Sequence, residues 1–238
     1  MDLNNKVAII TGASGGIGEA VAKDLDAAGM KLVLTARSQD KLEHLVSSLN
    51  NATFVVSEIT DIELPQKLVD KAINTFGQLD VVFSNAGVMT VGSIEEVDIE
   101  KICEMVRINV ESIYRMAYTA LRHFKKTGSG FLINTSSISG LKTVPNIGAY
   151  CGTKFAVEAF TDSLRMELAG TGIGVSCIEP GTVETGLYNN WDEKNKDFVH
   201  SGGALQPEDI ARCVRFILEQ PSHVLIPRML AVPANQPV

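Results

Sequence analysis

The sequence predicts an α/β fold: a doubly wound parallel sheet of about seven strands, with helices on both faces, in a single domain. Three observations lead there. Short continuous apolar runs, of the kind that form strands buried on both faces, recur along the chain. Segments of helical period separate them. The first run passes into a helix through a glycine-rich turn. A chain of 238 residues fits one such unit, and no linker, repeat or low-complexity segment divides it.

The elements follow in order. "KVAII" (6–10) is the first strand. The helix after it runs to about Ala28, with Gly29 placed to cap its C-terminus. "KLVLT" (31–35) is the second strand. Ser38 is an N-cap for a helix whose Leu42, Leu45, Val46 and Leu49 share one face. "TFVVS" (53–57) is the third strand, and Leu64, Leu68, Val69, Ala72, Ile73 and Phe76 mark the third helix. "LDVVFS" (79–84) is the fourth strand. A long helical stretch spans about Asp98 to Lys126, with a break expected near Asn109. From Val110 to Phe124 its apolar side chains cover an arc of roughly 200°, wider than one packing surface needs. Deep burial and contact with a partner subunit both account for such an arc. "GFLINTS" (130–136) is the fifth strand, a helix covers about Ala149 to Ala169, and "GVSCIEP" (174–180) is the sixth strand. The polar stretch 189–206 has weak periodicity and holds the one tryptophan, Trp191. "PEDIARCVRFILEQ" (207–220) reads as a helix with proline at its start and acids in its first turn. "MLAV" (229–232) completes the sheet as a seventh strand.

Hydrophobic residues make up 45% of the chain and charged residues 21%, the balance of a soluble globular protein. A net charge of −7 lacks the basic footprint of a nucleic-acid partner. No apolar run reaches the roughly 18 residues that would span a membrane. The N-terminus has no basic segment ahead of an apolar core, so no secretory signal is expected. Cys103, Cys151, Cys177 and Cys213 are scattered, without a CxxC pair, and read as reduced thiols in a cytoplasmic protein. The four histidines lie far apart, and no metal site is expected.

"TGASGGIG" (11–18) sits between the first strand and the first helix, its glycines Gly12, Gly16 and Gly18 spaced GxxxGxG. Glycines at such a turn let the backbone approach a ligand, and the helix N-terminus offers free N–H groups and a positive dipole end. A pyrophosphate suits that place, which makes Gly12, Ser14, Gly16, Ile17 and Gly18 candidate contacts of a dinucleotide. An acidic residue about 20 residues further on usually binds the ribose hydroxyl of NAD. Here Thr35 and Ala36 hold that position, and Arg37 follows. A guanidinium pairs with a 2′-phosphate where a carboxylate would repel it. The expected cofactor is NADP(H).

Further motifs appear in order: "NAG" (85–87) after the fourth strand, "INV" (108–110) in the long helix, "NTSS" (134–137) after the fifth strand, "YCGTK" (150–154) opening a helix, and "PGTVET" (180–185) after the sixth. Together with the glycine-rich turn they resemble the short-chain dehydrogenase/reductase family in its short, single-domain, Rossmann-like branch. The resemblance covers nearly the whole chain. A lone YxxxK would be weak, because about one such chain in five has it by chance; six motifs in the right order and context are specific.

The resemblance implies that Asn109, Ser137, Tyr150 and Lys154 form the catalytic group. Ser137 rather than Ser136 stands at the family's spacing, 13 residues before Tyr150. Tyr150 would give its proton to the substrate oxygen that Ser137 holds, and Lys154 would lower the tyrosine pKa and bind the nicotinamide ribose. Asn109 would hold a water that connects Lys154 to solvent. Asn85, Ala86 and Gly87 would border the cofactor. Ile178, Pro180 and Gly181 would line the nicotinamide, Val183 would contribute backbone, and Thr185 would bind the carboxamide. Glu58 and Ile59 fall at the adenine, with Glu58 where the family usually has aspartate. Ser84 stands where an asparagine is often found. Cys151, beside Tyr150 but with no adjacent histidine, reads as a bystander.

The implied activity is NADPH-dependent, reversible reduction of a small ketone or aldehyde to the alcohol. A catalytically silent NADP-binding regulator and a 3-oxoacyl carrier-protein reductase are the alternatives. Met89, Val144, Leu187, Tyr188, Trp191 and Phe198 are candidate substrate-side residues, with 189–206 as a lid. A homotetramer or homodimer is implied, with no nucleic-acid or membrane partner.

Overall fold

A computed structural model describes residues 1–188 and 202–236. Seven parallel strands form one sheet in the order β3-β2-β1-β4-β5-β6-β7. They are β1 (Val7–Thr11), β2 (Lys31–Ala36), β3 (Ala52–Val56), β4 (Val81–Ser84), β5 (Gly130–Thr135), β6 (Ile173–Pro180) and β7 (Arg228–Ala231). Each expected strand forms within one or two residues of its expected bounds. The lid expected at 189–206, with Trp191 and Phe198, lies outside the described residues except for 202–206.

The period of two along the strands sorts the core into two layers. Ala8, Ile10, Leu32, Leu34, Phe83 and Ile133 face α1 (Gly16–Ala27), α2 (Gln39–Ser47) and, near the C-terminus, α7 (Pro207–Glu219). Val7, Ile9, Val33, Val82 and Leu132 face α3 (Leu64–Phe76), α5 (Ser112–Thr127) and α6 (Gly148–Glu167). Phe83 anchors the first layer and Phe124 the second, both fully buried. Truncating either to alanine costs about 3–5 kcal/mol.

Two local expectations change. Ser38 holds the N-cap position of α2 in an extended conformation, but its side chain makes no cap bond. The break expected near Asn109 is a π-helical turn, Arg107–Glu111, joining α4 (Ile99–Val106) to α5 without interruption. The wider turn shifts the register of the helix face and carries Asn109 fully inside the protein. Asp98 caps the start of α4 by accepting from Glu100 N at 2.9 Å and Lys101 N at 3.3 Å.

Part of the wide apolar arc of α5 stays outside. Tyr118 is 49% exposed, and Tyr114 stacks on Phe160 of α6 with ring centres 4.2 Å apart. No helix among the described residues is long and apolar enough to cross a membrane.

The strand order reverses between β1 and its two neighbours, β2 and β4. In open parallel sheets the crevice at the C-terminal ends of the strands opens at that place.

Candidate active site

The crevice is a cleft of about 1050 Å³ running from Arg37 and Lys41, past Gly12 to Ile17, to Ser137, Tyr150 and Tyr188. Its floor is held by Thr11 at the end of β1. The Thr11 hydroxyl accepts from Asn85 N at 2.9 Å and Ala86 N at 3.1 Å, and Asn85 Nδ2 donates to the Thr11 carbonyl at 3.3 Å. These bonds bind the end of β4 to the end of β1.

The glycines of the turn have separate tasks. Gly12 has φ 67°, and a Cβ there would stand 2.9 Å from Ala86 Cα. Gly16 opens α1, with room for Thr185 but not for a side chain of its own. Gly18 is not on the cleft wall. A Cβ there would overlap the Gly12 carbonyl, so Gly18 lets α1 pack close against the turn. The result is a backbone cradle at a helix N-terminus, with side chains kept out of the space that a pyrophosphate would need.

At the outer end Arg37 Nε stands 4.0 Å from Glu58 Oε2, with the two side chains 66% and 64% exposed. An ion pair that long and that solvated is worth little, so the guanidinium is free to turn to a phosphate. Ser38, Lys41 and Ile59 complete this wall. An arginine, a lysine and a hydroxyl fit the 2′-phosphate of NADP(H).

At the inner end α6 presents Tyr150 and Lys154 one turn apart, both buried. The Lys154 Nζ lies 5.6 Å from the Tyr150 ring centre and donates to the Thr135 carbonyl at 3.0 Å. Ser137 stands beside the Tyr150 phenol on the cleft wall. Ser137 is fixed where β5 ends: its Oγ accepts from Ser139 N at 3.1 Å and donates to the Pro180 carbonyl at 3.4 Å.

The electrostatics differ from expectation. The phenol of Tyr150 is pushed up, chiefly by burial and then by Tyr188, while only Ser137 pulls it down. Burial also lowers Lys154, to about 8, against the opposing pull of Cys177 and Glu158. The protein alone therefore keeps the tyrosine loaded with its proton.

Asn109 Oδ1 accepts from Val88 N at 2.9 Å, and its Nδ2 donates to the Val88 carbonyl at 2.8 Å and to Thr153 Oγ1 at 3.2 Å. With both amide protons spent, its side chain clamps the loop after β4.

The short chain dehydrogenase family model matches residues 6–196. The chain belongs to the short-chain dehydrogenase family. An uncharacterised oxidoreductase of Staphylococcus aureus is 37% identical over 227 residues, covering 93% of this chain and 94% of the relative. An alcohol dehydrogenase from the archaeon Thermococcus sibiricus, complexed with 5-hydroxy-NADP, superposes with a TM-score of 0.87 at 31% identity, over 98% of both chains. A 3-ketoacyl-(acyl-carrier-protein) reductase from Brucella melitensis, complexed with NADH, gives 0.89 at 29% identity, over 98% of this chain and 99% of that one.

In this short-chain dehydrogenase the cleft gathers Gly12, Ser14, Gly16, Ile17, Arg37, Glu58, Ile59, Asn85, Ala86, Gly87, Ser137, Tyr150, Lys154, Pro180, Gly181, Val183 and Thr185. Ile178, expected at the nicotinamide, is instead fully buried in the core, where its carbonyl accepts from Ser136 N. Neighbouring residues on a strand face opposite sides, and Ile178 takes the inner one.

Met89, Val144, Leu187 and Tyr188 line the cleft as expected, joined by Val88, Ile147, Ser139 and Gln236. The sequence reading passed over Thr11, Lys41 and Gln236. Lys41 had a signal, four residues after Arg37. Gln236 had none, because only the fold brings the C-terminus back to accept from Thr182 N at 3.0 Å.

Proposed function

We propose that this short-chain dehydrogenase reduces a small, largely apolar ketone or aldehyde with NADPH, and oxidises the alcohol in reverse. The observation that carries the reading is the meeting of Ser137, Tyr150 and Lys154 at the closed end of the cleft that begins at Arg37. When bound, the dinucleotide supplies or takes up the hydride.

The protein's own residues do the rest. The Ser137 hydroxyl would hold the substrate oxygen beside the Tyr150 phenol. The tyrosine, kept protonated by burial, would donate to that oxygen as charge develops on it. Lys154 would stabilise the phenolate left behind and hold the nicotinamide ribose. Asn109 would keep the β4 loop in place and support the route by which the proton is replaced. Arg37, with Ser38 and Lys41, would select the 2′-phosphate. Apolar walls from Val88, Met89, Val144, Ile147 and Leu187 favour an apolar substrate. We further propose a homodimer or homotetramer that covers Tyr118, Phe155 and Met166, which are 49%, 41% and 63% exposed on α5 and α6.

The test is NADPH consumption against a panel of neutral ketones and aldehydes, with a 3-ketoacyl thioester as one member. Turnover of an apolar ketone or aldehyde supports the reading. Turnover of the thioester alone moves it to the carrier-protein reductase, and no turnover of any member refutes it.

A further inference from the structure

Behind Lys154, three buried side chains meet that the proposed chemistry does not use. Tyr150, Lys154 and Glu158 follow at intervals of four on α6 and share one helix face. Cys177 and Glu179, two apart on β6, point to the same side of the sheet. One carboxylate oxygen each of Glu158 and Glu179 and the Cys177 sulfur lie within 4.8 Å of one another, and all three residues are buried.

The Cys177 thiol donates to Glu158 Oε1 at 3.3 Å. Glu158 Oε2 and Glu179 Oε1 are buried without a hydrogen-bond partner. The cation facing them is Arg228 of β7, 41% exposed at its side chain. Its Nε stands 3.6 Å from Glu158 Oε2 and 4.0 Å from Glu179 Oε1. Both separations are too long for hydrogen bonds. The same guanidinium also reaches Asp162 Oδ2 at 3.4 Å.

One half-exposed guanidinium thus faces three carboxyl groups, two of them buried. Two carboxylates so close cannot both stay ionised cheaply, and a proton held between them meets the need of the orphaned oxygens. Burial, then the negative charge of Glu158, raise Glu179 to about 7, with Arg228 opposing. The groups facing the pair are Lys154 and Asp162 from α6, Cys177 from β6 and Arg228 from β7.

We propose that the Glu158–Glu179 carboxyl pair is a positioning element for Lys154, its shared proton setting how much negative charge stands behind the ammonium. The inference rests on the role given to Lys154 above. With the proton in place the pair carries one negative charge, which Arg228 balances. When the proton leaves, a second charge appears behind Lys154 and strengthens its hold on its own proton. The ammonium then persists to higher pH than its burial alone would allow.

The test compares Glu158→Gln, Glu179→Gln and Glu179→Asp with the wild type. Each glutamine variant lacks the second charge, so Lys154 gives up its proton more readily. The alkaline limb of kcat/KM for carbonyl reduction should move down by about one pH unit in both, and Glu179→Asp should keep the wild-type limb. Labelling of Lys154 by acetic anhydride across pH, read by mass spectrometry, should show the same downward shift without needing turnover.

Unmoved limbs and labelling midpoints in both glutamine variants would overturn the proposal. So would an equal shift in Glu179→Asp, which keeps the charge. If the wild type reduces no carbonyl compound, the proposed function fails while the labelling still decides this point. Stoichiometric zinc binding lost in Glu179→Gln would also overturn it, in favour of a metal site.

Discussion

Lys154 Nζ stands 5.6 Å from the centre of the Tyr150 ring and spends one hydrogen bond, 3.0 Å long, on the Thr135 carbonyl. The lysine is anchored to the end of β5 rather than to the tyrosine. The two side chains can therefore be altered one at a time with separate consequences.

Tyr150→Phe removes the hydroxyl proposed as the proton donor and leaves the ring in place. NADPH binding, measured by fluorescence titration, should persist while kcat falls at least about 10²-fold. Unchanged turnover would sink the assignment of the proton donor.

Lys154→Met tests the cost of burying the ammonium. Its folded pKa of about 8 lies below the unfolded value of 10.5, so the unfolded chain binds more protons between those limits. Stability from this group accordingly rises with pH through that window, and below it the buried charge is a burden. At pH 7 the variant should gain up to about 3 kcal/mol, less whatever the lost Thr135 bond costs. The gain should fade as pH approaches 10.5. Denaturant melts of both proteins at pH 7 and 10 measure it, and a gain that does not shrink would contradict the sign.

Arg37→Ala tests the proposed contact to the 2′-phosphate, which as a charge-assisted bond would be worth about 1.5–3 kcal/mol. The kcat/KM for NADPH should fall about 10- to 100-fold while that for NADH hardly changes. Comparable wild-type values for the two cofactors would refute the NADP(H) preference.

Gly18→Ala drives a methyl group into the Gly12 carbonyl. The turn has to move away from α1, and dinucleotide affinity should drop together with Tm. Calorimetry with and without NADPH separates the two losses.

Asn109→Ala leaves the Val88 N–H and carbonyl without their side-chain partner. A stability loss of about 1–3 kcal/mol is expected by denaturant unfolding.

The strands were legible because strands buried on both faces are nearly pure apolar runs, which composition alone marks out. The π turn at Arg107–Glu111 was not, since a lost helical phase looks the same whether the helix stops or gains a residue. In the site, the family resemblance pointed to Ser137, Tyr150 and Lys154, and the fold brings all three to the wall of one cleft. The raised pKa of Tyr150 was not, because burial is a property of the packed fold. Glu179 shows the same limit: a glutamate in an apolar strand is visible, but not that β6 lays it beside Glu158 of α6.

The Thr11 bonds at the floor of the cleft join residues 74 and 75 positions apart in the chain. A cleft closed by so distant a pairing cannot be assembled locally, because the loop must close before either end is rewarded. In refolding, helical structure should therefore return before the capacity to bind dinucleotide. During synthesis the emerging chain should remain without its binding site until β4 has left the ribosome and found β1.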